Sequence, residues 1–241
     1  MPPSILQVLL ISAIPVAAAC IGATVAAVRP PGLVARSSIQ HFAAGVIFSV
    51  VAVDLLPEVR RGHDPFEVGW TFAAGVALML VIDEVVKRFS PAGAHPGMRA
   101  PSVGQLVPIG VDLLLDGLLI GIAMTAGLKQ GVLLTTALTL ELFSLGLAMA
   151  LTFATANMSV TILAPTGIAC LIIVGAVLGH TLLADASVHT LAGLLSFGCA
   201  ALLFLVTEEL LIEAHESADT HVTTTMFFAG FLIFLLLGMV D

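Results

Sequence analysis

Eight long apolar runs restrict this chain more than any other feature. They fall at about 4–28, 41–59, 68–87, 105–127, 131–155, 159–184, 188–212 and 222–240, each long enough for the roughly 20 helical residues that cross a bilayer core. With 59% hydrophobic and 10% charged residues, the chain lacks the polar surface that a water-soluble domain of this size must present. The expectation is an all-α, multi-pass membrane protein of eight transmembrane helices in a single domain, 1–241. No polar stretch exceeds about twenty residues, which leaves no room for a separate extramembrane activity.

The first run resembles a signal peptide where Ala17, Ala18, Ala19 and Cys20 imitate a processing site. However, no Lys or Arg precedes it and the apolar stretch continues to Val28, so it reads as a retained helix. Cys20, Cys170 and Cys199 all lie within predicted spans without CxxC spacing, which predicts buried small hydrophobes rather than disulfides or metal thiolates.

Three acids interrupt this apolar pattern. Val111–Met124 (VDLLLDGLLIGIAM) and Leu138–Ala150 (LTLELFSLGLAMA) contain Asp112, Asp116 and Glu141. An acidic residue facing lipid at mid-membrane costs about 2.5–3.5 kcal/mol, so three would cost on the order of 8–10 kcal/mol. They must therefore face protein, water or a cation. Asp112 and Asp116 are four apart, which stacks them on one helix face at a spacing that lets two carboxylates share an ion. Gly117 and Gly121 form a small-xxx-small pair that admits a close neighbour, and this packing is expected to bring Glu141 within reach. The structural alternative is that the acids are protonated or hydrogen-bonded packing groups.

Sliding the chain along itself by 155 residues places Asp54-Leu-Leu-Pro-Glu58 on Glu209-Leu-Leu-Ile-Glu213, Phe42 on Phe197, and Phe72-Ala-Ala-Gly75 on Phe227-Phe-Ala-Gly230. Helices one to three thus match helices six to eight. Two intervening spans put the second unit on the opposite side of the membrane, so the arrangement reads as an inverted repeat (4–88 and 159–241) around a central pair (105–155), with substrate near the midplane. The inversion places two acidic clusters at opposite faces. Asp54, Glu58, His63, Asp64 and Glu67 end helix two; Glu208, Glu209, Glu213, His215, Glu216, Asp219 and His221 end helix seven. Acid and imidazole at both mouths suit the capture and release of a divalent cation.

Loops after odd-numbered helices hold Arg29, Arg36, Lys87, Arg88 and Arg99, and loops after even-numbered ones hold Arg60, Arg61 and Lys129. This bias favours both termini outside. The formal net charge of −8 argues against nucleic acid and for cations. Asp83 and Glu84 beside Lys87 and Arg88 read as an interfacial salt bridge. Pro108 and Pro165 begin or kink helices four and six. His180 reads as an interfacial or satisfied histidine, and 90–102 as a linker.

His41-Phe-Ala-Ala-Gly45 leading to Asp54-Leu-Leu-Pro-Glu58, with Glu208-Glu-Leu-Leu-Ile-Glu-Ala-His-Glu216, resembles the second and seventh helices of ZIP (Zrt/Irt-like) metal transporters. The resemblance covers essentially the whole chain. It implies a divalent-metal site between helices four and five and alternating access of a mobile bundle against a scaffold. The core departs from the family pattern. Where the fourth helix usually reads His-Asn-x-Pro-Glu-Gly, this chain has Asp112-Leu-Leu-Leu-Asp-Gly117. Where the fifth resembles His-Glu-x-Pro-Glu-Gly, it has Glu141-Leu-Phe-Ser-Leu-Gly146, with Leu142 and Leu145 at the two acid positions. Three ligand positions stay filled, and Ser144 is a further candidate. Asp54, Glu58, Glu208, Glu209, Glu213 and His215 complete the expected metal-contacting set.

The expected function is inward transport of zinc-, iron- or manganese-class ions across the plasma (inner) membrane. The metal is substrate; no catalytic residue or prosthetic group is expected. Partners are the lipid bilayer and the ion, with homodimerisation left open. A transport-deficient sensor or assembly partner is the alternative raised by Leu142 and Leu145. An aspartyl membrane protease would need its two aspartates on different helices, and no Gly-x-Ser-x-Gly motif supplies a nucleophile.

Overall fold

A bilayer offers no hydrogen-bonding partner to the backbone, so a chain this apolar must close its ladders within each segment. The computed structural model describes residues 3–60, 64–89, 103–153, 157–184, 186–214 and 220–239. Among them every regular element is helical and there is no strand. The helices are α1 (Ile5–Val28), α2 (Leu33–Ser49), α3 (Leu56–Arg60), α4 (Pro65–Phe89), α5 (Val103–Ala126), α6 (Leu128–Thr152), α7 (Met158–Ala169), α8 (Leu171–Leu182), α9 (Val188–Leu205), α10 (Leu211–Ala214) and α11 (His221–Met239). They make eight stretches long and apolar enough to cross a membrane, as expected of an integral multi-pass protein. The second span joins α2 to α3, the sixth α7 to α8, and the seventh α9 to α10.

Three of these spans are not simple α-helices. In the second and seventh, one π-helical stretch each, Val50–Leu55 and Val206–Leu210, joins the α-helical parts. A π-turn inserts an extra residue into the ladder and rotates everything beyond it. In the sixth span the helix is interrupted at Cys170, with Pro165 in the preceding half. The second span also starts earlier than its hydropathy predicts, at Leu33 rather than 41. Its polar first turns are satisfied internally: Ser37 Oγ donates to Ala214 O of α10 at 2.8 Å, and His41 Nδ1 lies 2.9 Å from Ser37 O.

Helix pairing is dictated by small residues. α5 packs most extensively against α8, α1 against α6, α2 against α11 and α4 against α9. A Cβ on Gly117 would overlap the carbonyl of Ile172, and one on Gly175 that of Leu114, so α5 and α8 touch backbone to backbone. Gly22 against Phe143 and Gly146 against Ala19 do the same for α1 and α6. Gly230 seats the carbonyl of Phe42, and Gly75 that of Phe197. This corrects one expectation: the close neighbour admitted by Gly117 and Gly121 is α8, not the helix carrying Glu141. Without a water-driven hydrophobic force between helices in lipid, such close approach is the main source of association.

Smaller expectations resolve individually. Glu84 and Arg88 form the interfacial pair, with Arg88 Nε 2.9 Å from Glu84 Oε1. His180 is buried, its Nδ1 3.0 Å from Thr125 Oγ1; because Thr125 donates to Gly121 O at 2.8 Å, the ring donates through Nδ1–H. Cys199 is buried and Cys20 partly so, but Cys170 is exposed, contrary to the expected burial. It occupies the outer side of the interruption, while Ala169 and Ile172 beside it turn inward.

Candidate metal site

The two acid-bearing helices are consecutive. Gly127 is the single residue between α5 and α6, so the helices form a tight hairpin and run side by side from that turn. At 1.5 Å per residue, Asp116 lies about 15 Å and Glu141 about 20 Å below the turn, close to the middle of a 30 Å hydrocarbon layer. The i, i+4 spacing of Asp112 and Asp116 turns both toward α6. Ligand oxygens of Asp112, Asp116 and Glu141 all lie within 4.8 Å of one another.

Burial makes the cluster electrostatically demanding. Asp116 is 2% and Glu141 5% exposed, and Asp112 is partly buried. Leu113 and Leu142, both fully buried, pack in the same hydrophobic cluster. Each acid makes other contacts, yet Asp116 Oδ2 and Glu141 Oε2 are themselves buried oxygens that accept no hydrogen bond. Three carboxylates this close in a low-dielectric interior repel one another when charged. A bound divalent cation neutralises two charges and supplies what the oxygens lack, and oxygen-only coordination with water completing the shell suits hard cations.

Among the described residues this is the one group of three or more His, Cys, Asp and Glu side chains positioned to hold an ion. Ser144 is buried on α6 one turn beyond Glu141, on the same side of the helix. No model of a known protein family matches the chain, and no curated protein is significantly similar to it. Among the described residues, Asp54, Glu58 and Glu208 do not belong to the triad group. Asp54 lies within the π-turn of the second span, partly buried, with its carboxylate beside Gly238 of α11. Glu58 is partly buried in α3, and Glu208 is exposed in the π-turn of the seventh span. Glu209 and Glu213 lie on the backbone of the seventh span, but their side chains fall outside the described residues, as does His215 entirely.

The two π-turns are the feature that sequence reasoning missed. Asp54 occupies one and Glu208 and Glu209 the other. The only signal for them was indirect: both coincide with the acidic matches at the 155-residue offset. Elsewhere within the spans hydroxyls fold back onto the preceding turn, as in buried Thr135 to Gly131 O (2.7 Å) and part-buried Thr139 to Thr135 O (2.6 Å).

Proposed function

We propose that the chain is a ZIP-like secondary transporter that carries divalent metal ions toward the cytoplasm by alternating access. The observation that supports this best is the buried triad of Asp112, Asp116 and Glu141 within 4.8 Å at mid-span. Ionisable groups at that depth are costly to keep and characteristically line ion pathways. The inverted repeat belongs to the same reading. In its favour, the π-turns fall at equivalent positions of the second and seventh spans, and Gly75 on Phe197 mirrors Gly230 on Phe42 at the same offset. The strongest helix pairings also exchange under it: α1–α6 with α5–α8, and α2–α11 with α4–α9. In this account the α1, α5, α6, α7 and α8 group carries the ion, and the α2, α4, α9 and α11 group is the scaffold.

Metal preference follows from the donor set. Zinc sites favour imidazole and thiolate, whereas three carboxylates suit Mn²⁺, Fe²⁺ or Mg²⁺. Manganese or ferrous iron should therefore compete at least equally with zinc during uptake into proteoliposomes, and Asp112→His combined with Glu141→His should shift preference back to zinc. A wild-type protein that takes zinc tenfold better than manganese would remove this inference while leaving transport intact.

Orientation is tested separately. With both termini outside, Lys129→Cys, exposed at the start of α6, should react with an impermeant thiol reagent in intact cells; Val34→Cys, exposed at the start of α2, should be shielded until the membrane is permeabilised. The reverse labelling would invert the direction assigned to each mouth.

A further inference from the structure

We infer that the metal site lies on a seam between two rigid helix pairs, so that the ion clamps together two bodies that separate when the site is empty. This rests on the proposal that the triad holds a divalent cation. The first body is α5 with α8, locked where Gly117 and Gly175 seat the carbonyls of Ile172 and Leu114. The second is α1 with α6, locked through Gly22 and Gly146. Asp112 and Asp116 belong to the first body and Glu141 to the second. No single body therefore holds the complete site.

The chain crosses this seam at two weak points. One is Gly127, the lone residue linking α5 to α6. The other is the interruption of the sixth span: α7 packs on α1 and α6, whereas α8 packs chiefly on α5. The helix thus changes body where its ladder tightens. Pro165 removes the ladder donor to the Thr161 carbonyl, and Cys170 keeps right-handed helical backbone, its N–H reaching Thr166 O at 3.2 Å and its carbonyl shared between Ile173 N–H (3.1 Å, a tightened i−3 contact) and Val174 N–H (3.4 Å). Where the bodies meet elsewhere, α5 with α6 and α1 with α8, glycine contacts of the locking kind occur among the described residues only beside the hairpin turn, where Gly131 meets Met124.

Electrostatics supplies the switch. Empty, the site sets two carboxylates of one body against one of the other, and like charges in a low dielectric repel across the seam. Occupied, all three are drawn to one centre. The ion is therefore the strongest contact between the bodies, and its binding stiffens the carrier before it moves against the scaffold.

Pulsed electron–electron distance measurements on purified protein test this, with Cys20, Cys170 and Cys199 replaced by Ala or Ser and Cd²⁺ as a diamagnetic probe. Spin labels at Val132 (α6) and Leu178 (α8), both exposed, report across the seam. Labels at Leu10 (α1) and Val132, also both exposed, report within one body. The expected result is that Cd²⁺ shortens and narrows the Val132–Leu178 distribution, leaves Leu10–Val132 unchanged, and has no effect in Asp116→Asn. Calorimetry on the same samples separates the outcomes. Cd²⁺ binding without any cross-seam change, or with an equal change inside one body, overturns the seam while leaving the metal site standing. Absence of Cd²⁺, Mn²⁺ and Zn²⁺ binding removes the metal site and the clamp with it.

Discussion

Asp116→Asn should weaken divalent-cation binding by at least about a hundredfold and bring metal uptake to background. The carboxylate is 2% exposed, so replacing it strips one anionic ligand from the bound cation and leaves only Asp112 and Glu141 to neutralise it; removing one member of a buried ion arrangement costs about 3–5 kcal/mol, which is two to nearly four decades in affinity. Glu141→Gln should behave alike. Asp112→Asn should lose less, because Asp112 is only partly buried and water can take over part of its role. Asp83→Asn and Glu84→Gln serve as controls, since the Glu84–Arg88 pair is solvent-exposed and i, i+4, a type worth a few tenths of a kcal/mol. Calorimetric titration with Mn²⁺ measures the first effect and proteoliposome uptake the second. Controls that impair uptake as much as the core changes would place the site elsewhere.

Gly117→Leu is expected to be among the most damaging uncharged substitutions at the described residues. Even a Cβ at this position overlaps the Ile172 carbonyl and closes on the backbone nitrogen of Ala176; the obstacle is main chain, which cannot rotate away. Overpacking a well-filled interior costs about 1–3 kcal/mol and more where backbone must shift. The helices would have to part along a face where four glycines, Gly117, Gly121, Gly175 and Gly179, interlock. Because Asp116 is the adjacent residue, the site should be displaced along with the fold. The expected readout is a large fall in thermal stability in detergent together with loss of Mn²⁺-induced stabilisation. By contrast Gly167→Ala, whose Cβ would meet nothing within 4 Å, should leave both unchanged or raise stability slightly.

The spans and the triad were legible because each rests on a cost that the bilayer makes large. Eight apolar runs have no other stable use, and three acids inside them must find one another or an ion. Helix pairing was less legible. Gly117 and Gly121 advertise a close neighbour, but the same pattern fits any helix with an accessible backbone, and only the packed bundle decides in favour of α8 over α6. The π-turns at Val50–Leu55 and Val206–Leu210 leave no compositional trace, since shifting from an i−4 to an i−5 ladder depends on packing differences of the order of a single hydrogen bond. Pro165 pointed to a disturbance in the sixth span, but the interruption settles five residues later, at Cys170, where the chain passes from the neighbours of α7 to those of α8.

The central claim, that a buried three-carboxylate site carries divalent metal across the membrane, is tested most directly by Mn²⁺ uptake into proteoliposomes reconstituted with wild-type protein and with Asp116→Asn. Saturable uptake by the wild type, competed by Fe²⁺ and lost in Asp116→Asn at equal reconstitution, is the predicted result. Wild-type protein that binds Mn²⁺ through the triad yet moves none would contradict transport and point to a metal-responsive membrane protein instead.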